Sequence, residues 1–205
     1  MVQTVSPSAT MITAGQIAKF LDLLAAALRK SGLPSEQTQQ VIETQGDALT
    51  VVFVGEVRKR VEAISDMIVR HAKVDRGRTP QKVLDDTGRK QYTTREVVDS
   101  MPHGDENGEE VDVHFFKLGH FVNDVDLDKE FELRGLKPAD PYSLAAVNEE
   151  DPDFADKHPN RTHWKDANGK WCFATFDGWV DERSVNVDRV DDGCDEGWWF
   201  AGLRK

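Results

Sequence analysis

Four side chains in the C-terminal part of the chain are competent zinc ligands: His158, His163, Cys172 and Cys194. A site built on one stretch usually takes two ligands from a tight knuckle, Cys-x2-Cys or His-x3-His, because one turn then fixes both. Here four, eight and twenty-one residues separate the successive candidates. No knuckle exists, and no metal is expected. A cysteine–histidine nucleophile pair has little support either. Cys172 lies between Trp171 and Phe173, whereas a reactive thiol needs an electropositive, accessible setting; Cys194 is expected exposed in a turn. Asp124, Asp126 and Asp128 alternate like the acids of a calcium loop but lack its glycine and terminal glutamate. Asp124 and Asp126 fit the first turn of a helix, where the dipole favours acids. Nucleophile-elbow, P-loop, HExxH and dinucleotide-binding glycine patterns do not occur, and no cofactor is implied.

All five tryptophans and both cysteines fall within the last 42 positions. Aromatic side chains bury large areas and demand specific neighbours, so this stretch is core or recognition surface. Trp171, Phe173 and Thr175 alternate with Cys172, Ala174 and Phe176. That pattern puts apolar groups on both faces of one strand and predicts cover on both, the early helices supplying one. Trp198, Trp199 and Phe200 are consecutive and cannot share a face. Most of the cluster therefore reads as core. Trp179, which follows Asp177-Gly178, and Trp198 and Trp199 remain as binding candidates. Their acidic surroundings suit a cationic or polar ligand.

Charge is unevenly spread along a chain of net charge −11. Residues 70–95 hold eight basic and three acidic side chains, while residues 96–205 hold twelve basic and twenty-seven acidic ones. An acidic whole disfavours nonspecific nucleic-acid binding. The basic island is where such binding would occur, with Arg76, Arg78, Arg89 and Lys90 as phosphate contacts. It has a single aromatic, Tyr92, and its acidic interleaving suits internal docking better, so nucleic acid is not the expected partner. No apolar run approaches the roughly 18 residues that span a bilayer, and no basic n-region precedes an apolar stretch. Two cysteines without such a leader read as reduced thiols, and the expected compartment is the cytoplasm.

These residues must be positioned by recognisable elements. Thr13 and Gln16 have capping-box spacing. Ile17, Phe20, Leu21, Leu24 and Leu28 then mark one helix face before Gly32 and Pro34. A second helix is expected over residues 35–45. A third is expected over 47–64, where LTVVFV favours strand but the charged continuation EVRKRVE decides for helix. This helical segment, residues 1–65, is expected to pack on the remainder or to self-associate through its first helix. A domain of residues 66–205 follows: a strand at 67–74, a helix opened by Thr79-Pro80, a short helix from Thr94, and a flexible loop at 102–110. Beyond the loop come a strand at 111–121, a helix capped by Asn123 and a helix opened by Asp140-Pro141. The chain ends in an antiparallel meander whose Asn168-Gly169 pair marks a hairpin. The fold class is α+β: N-terminal helices, a mixed region and a C-terminal antiparallel β-meander.

The segments RGLKPADPYSLAAVNEEDPDFAD, HWKDANGKWCF and WWFAGLRK resemble small uncharacterised bacterial proteins of unknown function over residues 66–205. The resemblance implies a bacterial cytosolic protein and transfers no catalytic residue. The leading expectation is a non-enzymatic binding protein using the tryptophan-rich sheet, with an unidentified protein or small molecule as partner. The alternatives are an enzyme using histidine–carboxylate acid–base chemistry near His158 and His163, and an accessory nucleic-acid binder working through residues 70–95.

Overall fold

The computed structural model describes residues 12–65, 67–104, 110–179, 182–189 and 193–205. Residues 105–109, the centre of the expected flexible loop, lie outside them, as does the side chain of Trp179. The chain divides into two compact units, residues 1–55 and 56–205. Among the described residues, no helix is long and apolar enough to cross a membrane.

The first unit is helical. Thr13 caps helix α1 (Ala14–Lys30) by accepting from the Gln16 amide, and the Gln16 Oε1 in turn accepts from the Thr13 amide at 2.8 Å. Helix α2 (Ser35–Ser65) follows and continues past the unit boundary. The two helices expected over 35–45 and 47–64 are therefore one. Gly46 between them costs only about 1 kcal/mol in a helix interior, and without a proline nothing breaks the hydrogen-bond ladder.

The second unit is an eight-stranded mixed sheet with helices on both faces, so the α+β class is observed. In chain order its elements are β1 (Ile68–Lys73), α3 (Pro80–Asp86), β2 (Lys90–Thr93), α4 (Arg95–Val98), β3 (Glu110–Lys117), α5 (Asp124–Leu133), β4 (Leu136–Pro138) and α6 (Pro141–Glu150). Then follow α7 (Phe154–Lys157), β5 (Asn160–Lys165), β6 (Trp171–Trp179), β7 (Glu182–Arg189) and β8 (Trp199–Arg204). The spatial order is β1-β3-β8-β5-β6-β7-β2, with β4 paired to β8. Thr79, Asn123 and Asp140 cap α3, α5 and α6 with their side chains, as their positions in the sequence require.

Strands β5, β6 and β7 form the expected meander, turned at 166–169 by Gly169 at φ +75°. The Asp166 carboxylate accepts from the amides of Asn168 (2.8 Å) and Lys170 (3.0 Å). Strand β8 leaves the meander: it pairs antiparallel with β3 and parallel with β5. A parallel return needs a crossover along the strand length, and residues 193–198, which lead into β8, lie against the second core. There Cys194 bridges to Val122 by two backbone hydrogen bonds of 3.0 and 2.8 Å. Strands β2 and β4, unexpected from sequence, are short edge pieces recruited by β7 and β8.

Alternation sorts the sheet's side chains into two cores. On one face Cys172, Ala174, Phe176, Val185, Val187, Ala201 and Phe115 pack against Val83, Leu84, Val97, Val98, Leu144 and Phe154. The cover on this face comes from α3, α4, α6 and α7. A fully buried Asn148–Asn160 pair (2.9 Å) ties α6 to β5. On the other face α5, β4 and the crossover enclose Phe116, Leu127, Phe131, Cys194 and Phe200. Trp199 packs with the first core and Trp198 with the second, so the two rings do point opposite ways. Phe115, fully buried and edge-on to Phe154 at 4.8 Å, spans strand and helix. Phe115→Ala should cost about 3–5 kcal/mol, read as a lowered urea midpoint of tryptophan fluorescence; an unchanged midpoint would refute this assignment of the main core.

Candidate functional site

The odd-numbered residues of β5 (Arg161, His163 and Lys165) project to the face carrying the second core. Register places Trp171, Phe173 and Thr175 of β6 beside them, with Asp177 further along the same face. Ser184, Asn186 and Asp188 of β7 come next, then Lys90 and Tyr92 of β2. This face has a closed polar part and an open aromatic part.

The closed part centres on His163, which is 2% exposed. Its Nδ1 lies 2.8 Å from Asp124 Oδ1 and its Nε2 3.1 Å from Asp128 Oδ1. The two acids are four residues apart on α5 and so share one helix face. Carboxylates only accept, so both contacts are favourable together only when the ring donates from both nitrogens, as imidazolium. Burial opposes that charge most strongly, but the hydrogen bonds and charges of Asp124 and Asp128 outweigh it and raise the His163 pKa. Arg161, 5% exposed, places Nη2 4.0 Å from Asp124, while its Nε and Nη2 have no hydrogen-bond partner. Burial, the dominant influence, pushes the Cys194 thiol up to about 12, with Asp124 and Asp195 adding to the rise and Arg161 opposing it. The cluster is a charge clamp between α5 and β5. With both ring nitrogens held by carboxylates, His163 offers no free position from which to take a proton, and burial disfavours the Cys194 thiolate.

The open part is a set of aromatic rings, each with a cation above it. Lys165 Nζ lies 4.4 Å from the Trp171 centroid, the Arg161 guanidinium 4.9 Å from Phe173, and Lys90 Nζ 5.1 Å from Tyr92. Trp171 also stacks on His163, with centroids 4.7 Å apart and planes 13° apart. Trp171, Phe173 and Trp198 are half-buried and Tyr92 is exposed. Exposed Asp188 pairs across from Phe173, Glu182 accepts from both Tyr92 (2.8 Å) and Lys90 (2.7 Å), and exposed Asp195 and Glu196 precede Trp198 in the chain.

The residues singled out from sequence are dispersed. His158 ends α7 and packs edge-on against Trp199 at 5.0 Å, in the first core and away from His163. Cys172 is buried in that same core, and Cys194 in the other. The expectation that Cys194 is exposed is therefore corrected: its bridge to Val122 draws the turn inward, leaving it 2% exposed. Among the described residues, no three His, Cys, Asp or Glu side chains converge as a metal site requires. The basic island is spent on internal contacts. Arg76 binds Asp140 (2.9 Å) and Ser143; Arg78 binds Asp86 (2.9 Å) and Glu149 (2.8 Å). Arg89 donates to the carbonyls of Asp177 and Pro152 (2.8 Å each), and Lys90 pairs with Glu182. Trp179 ends β6 opposite Glu182, and Trp198 and Trp199 flank the start of β8 on opposite faces.

Sequence reasoning noted Asp128 only as one of three alternating acids and passed over Arg161 and Lys165. Their signal was present in two patterns: the alternation R-T-H-W-K and the i, i+4 acids of D-V-D-L-D. No protein-family model matches the chain, and no curated protein or solved structure matches it significantly.

The cluster has a definite pH signature. The folded-state pKa of His163 lies above the ordinary 6.5, so its stabilising contribution is complete below that pH and is lost as pH rises through the raised value. His114 and His158 act in the opposite sense. Burial, with nearby cations, lowers both from 6.5, so stability falls as pH drops below 6.5. Urea midpoints should therefore decline on both sides of a maximum, and His163→Gln should flatten the alkaline limb alone. An alkaline limb unchanged in that variant would rule out the imidazolium.

Proposed function

We propose that this chain is a non-enzymatic binding protein that holds a cationic ligand, such as a basic peptide segment, against the aromatic rings on the open face of its sheet. The observation that carries the reading is the Lys165 ammonium 4.4 Å over Trp171. This is an intramolecular version of the proposed contact, and an incoming lysine or arginine would compete for the same ring. Cation–π contacts of this kind contribute about 0.5–2 kcal/mol, the upper end where water is excluded. Exposed Asp188, Asp195 and Glu196 add long-range attraction for a cation.

Two other readings have weaker support. Acid–base catalysis would need a histidine with a free lone pair facing a cleft; both nitrogens of His163 are taken by carboxylates, and His158, whose Nδ1 is unpartnered, is packed between the rings of Phe154 and Trp199. Nucleic-acid binding would need free cations, but Arg76, Arg78, Arg89 and Lys90 already have partners within the chain.

The test is calorimetric titration of the protein with a short oligolysine peptide at low salt, where charge attraction is least screened. Saturable binding is expected, weakened about tenfold by Trp171→Ala (roughly 1.4 kcal/mol) and unaffected by Trp164→Phe, whose parent ring is 8% exposed. Absence of binding, or binding indifferent to Trp171→Ala, would sink the proposal.

A further inference from the structure

The helical unit presents a broad apolar surface, and no residue from 12 to 55 is buried. Phe20, Leu24 and Leu28 of α1 face Val41, Leu49 and Phe53 of α2 across a groove of about 740 Å³. These six side chains remain 36–51% exposed. The Phe20 and Phe53 rings, 4.8 Å apart, mark the seam between the helices. Most helices owe their stability to burial of an apolar face rather than to propensity. A hairpin with its apolar groove open to water therefore calls for a cover.

We infer that the cover is a second copy of the same hairpin, and that the chain dimerises through an antiparallel four-helix bundle. The first argument is area. Together with Ile17, Leu21, Leu33, Ile42 and Val54, the groove residues expose on the order of 800 Å², about what one partner contributes to a standard specific interface. The second is charge. Helix α1 ends in Arg29 and Lys30, whereas residues 35–55 of α2 carry Glu36, Glu43 and Asp47 and no lysine or arginine. Among the described residues, none of these five charges has an ion-pair partner within the chain. A two-fold axis makes a patch self-complementary, so that the basic end of α1 in one copy meets the acidic half of α2 in the other, twice over. Helices packed in this way cross at about 20°, with the groove side chains interdigitated.

Sedimentation velocity on the protein tests the assignment. The species expected at micromolar concentration has twice the chain mass of 23.1 kDa. Leu24→Lys with Phe53→Lys should give a monomer that keeps the near-ultraviolet signal of the five tryptophans, all of which lie beyond residue 163. Charge reversal separates register from general stickiness. A variant with Arg29→Glu and Lys30→Glu, and another with Glu43→Lys and Asp47→Lys, should each dimerise at least about tenfold more weakly, and mixing the two should restore a heterodimer. A wild-type chain that stays monomeric, leaving the face to a different helical partner, overturns the inference. So does a dimer that survives Leu24→Lys with Phe53→Lys, and so does failure of the mixed variants to pair.

Discussion

The two-residue period of β5 is the constraint on which the rest of the second unit depends. It is the middle of the seven strands on the main path, and its neighbours run antiparallel on one side and parallel on the other. Asn160, Thr162 and Trp164 go to one face, where α6 and the large core receive them; Arg161, His163 and Lys165 go to the other. A slip of one residue would exchange the two sets. It would drive two cations and an imidazolium into an apolar layer, and the energy of burying unpaired charge forbids that. The charge clamp thus acts as a register lock as well as a contact. Asp124 and Asp128 supply the acceptors that let His163 be buried under a helix.

That division of faces explains why the sheet can serve as both core and surface. The face under α3, α4, α6 and α7 is filled with side chains of close to zero exposure. On the opposite face α5 reaches His163, and the aromatic side chains of β6 and β2 stay half-buried or exposed. Aromatic rings tolerate that position because a cation over the face recovers part of what burial would have given. Lys165, Arg161 and Lys90 each do this.

Much of this was legible in the sequence because local signals and tertiary outcome agree. Thr13, Thr79, Asn123 and Asp140 cap the helices they precede, and Gly169 closes the hairpin that Asn168-Gly169 announces. What stayed hidden was non-local. Lys90 to Thr93 has no strand signature of its own and is extended because β7 offers a parallel edge. The placement of β8 between β3 and β5 is a matter of pairing across distant segments, which no local pattern encodes. The site was hidden for the same reason. Asp128 and His163 are 35 residues apart, and only the docking of α5 brings them together. The aromatic cluster was visible as composition, but which rings would face outward depended on where the helices ended up.

Strand β8 follows every other strand in the chain, yet it lies between β3 and β5. During synthesis those two strands exist, with unpaired edges facing each other, before the segment that joins them has emerged. An open strand edge is a template for foreign pairing, and contacts that must wait for distant sequence form slowly. The nascent domain therefore passes through a stage in which its central seam is open. Docking of β8 between β3 and β5 is thus the step that closes the sheet.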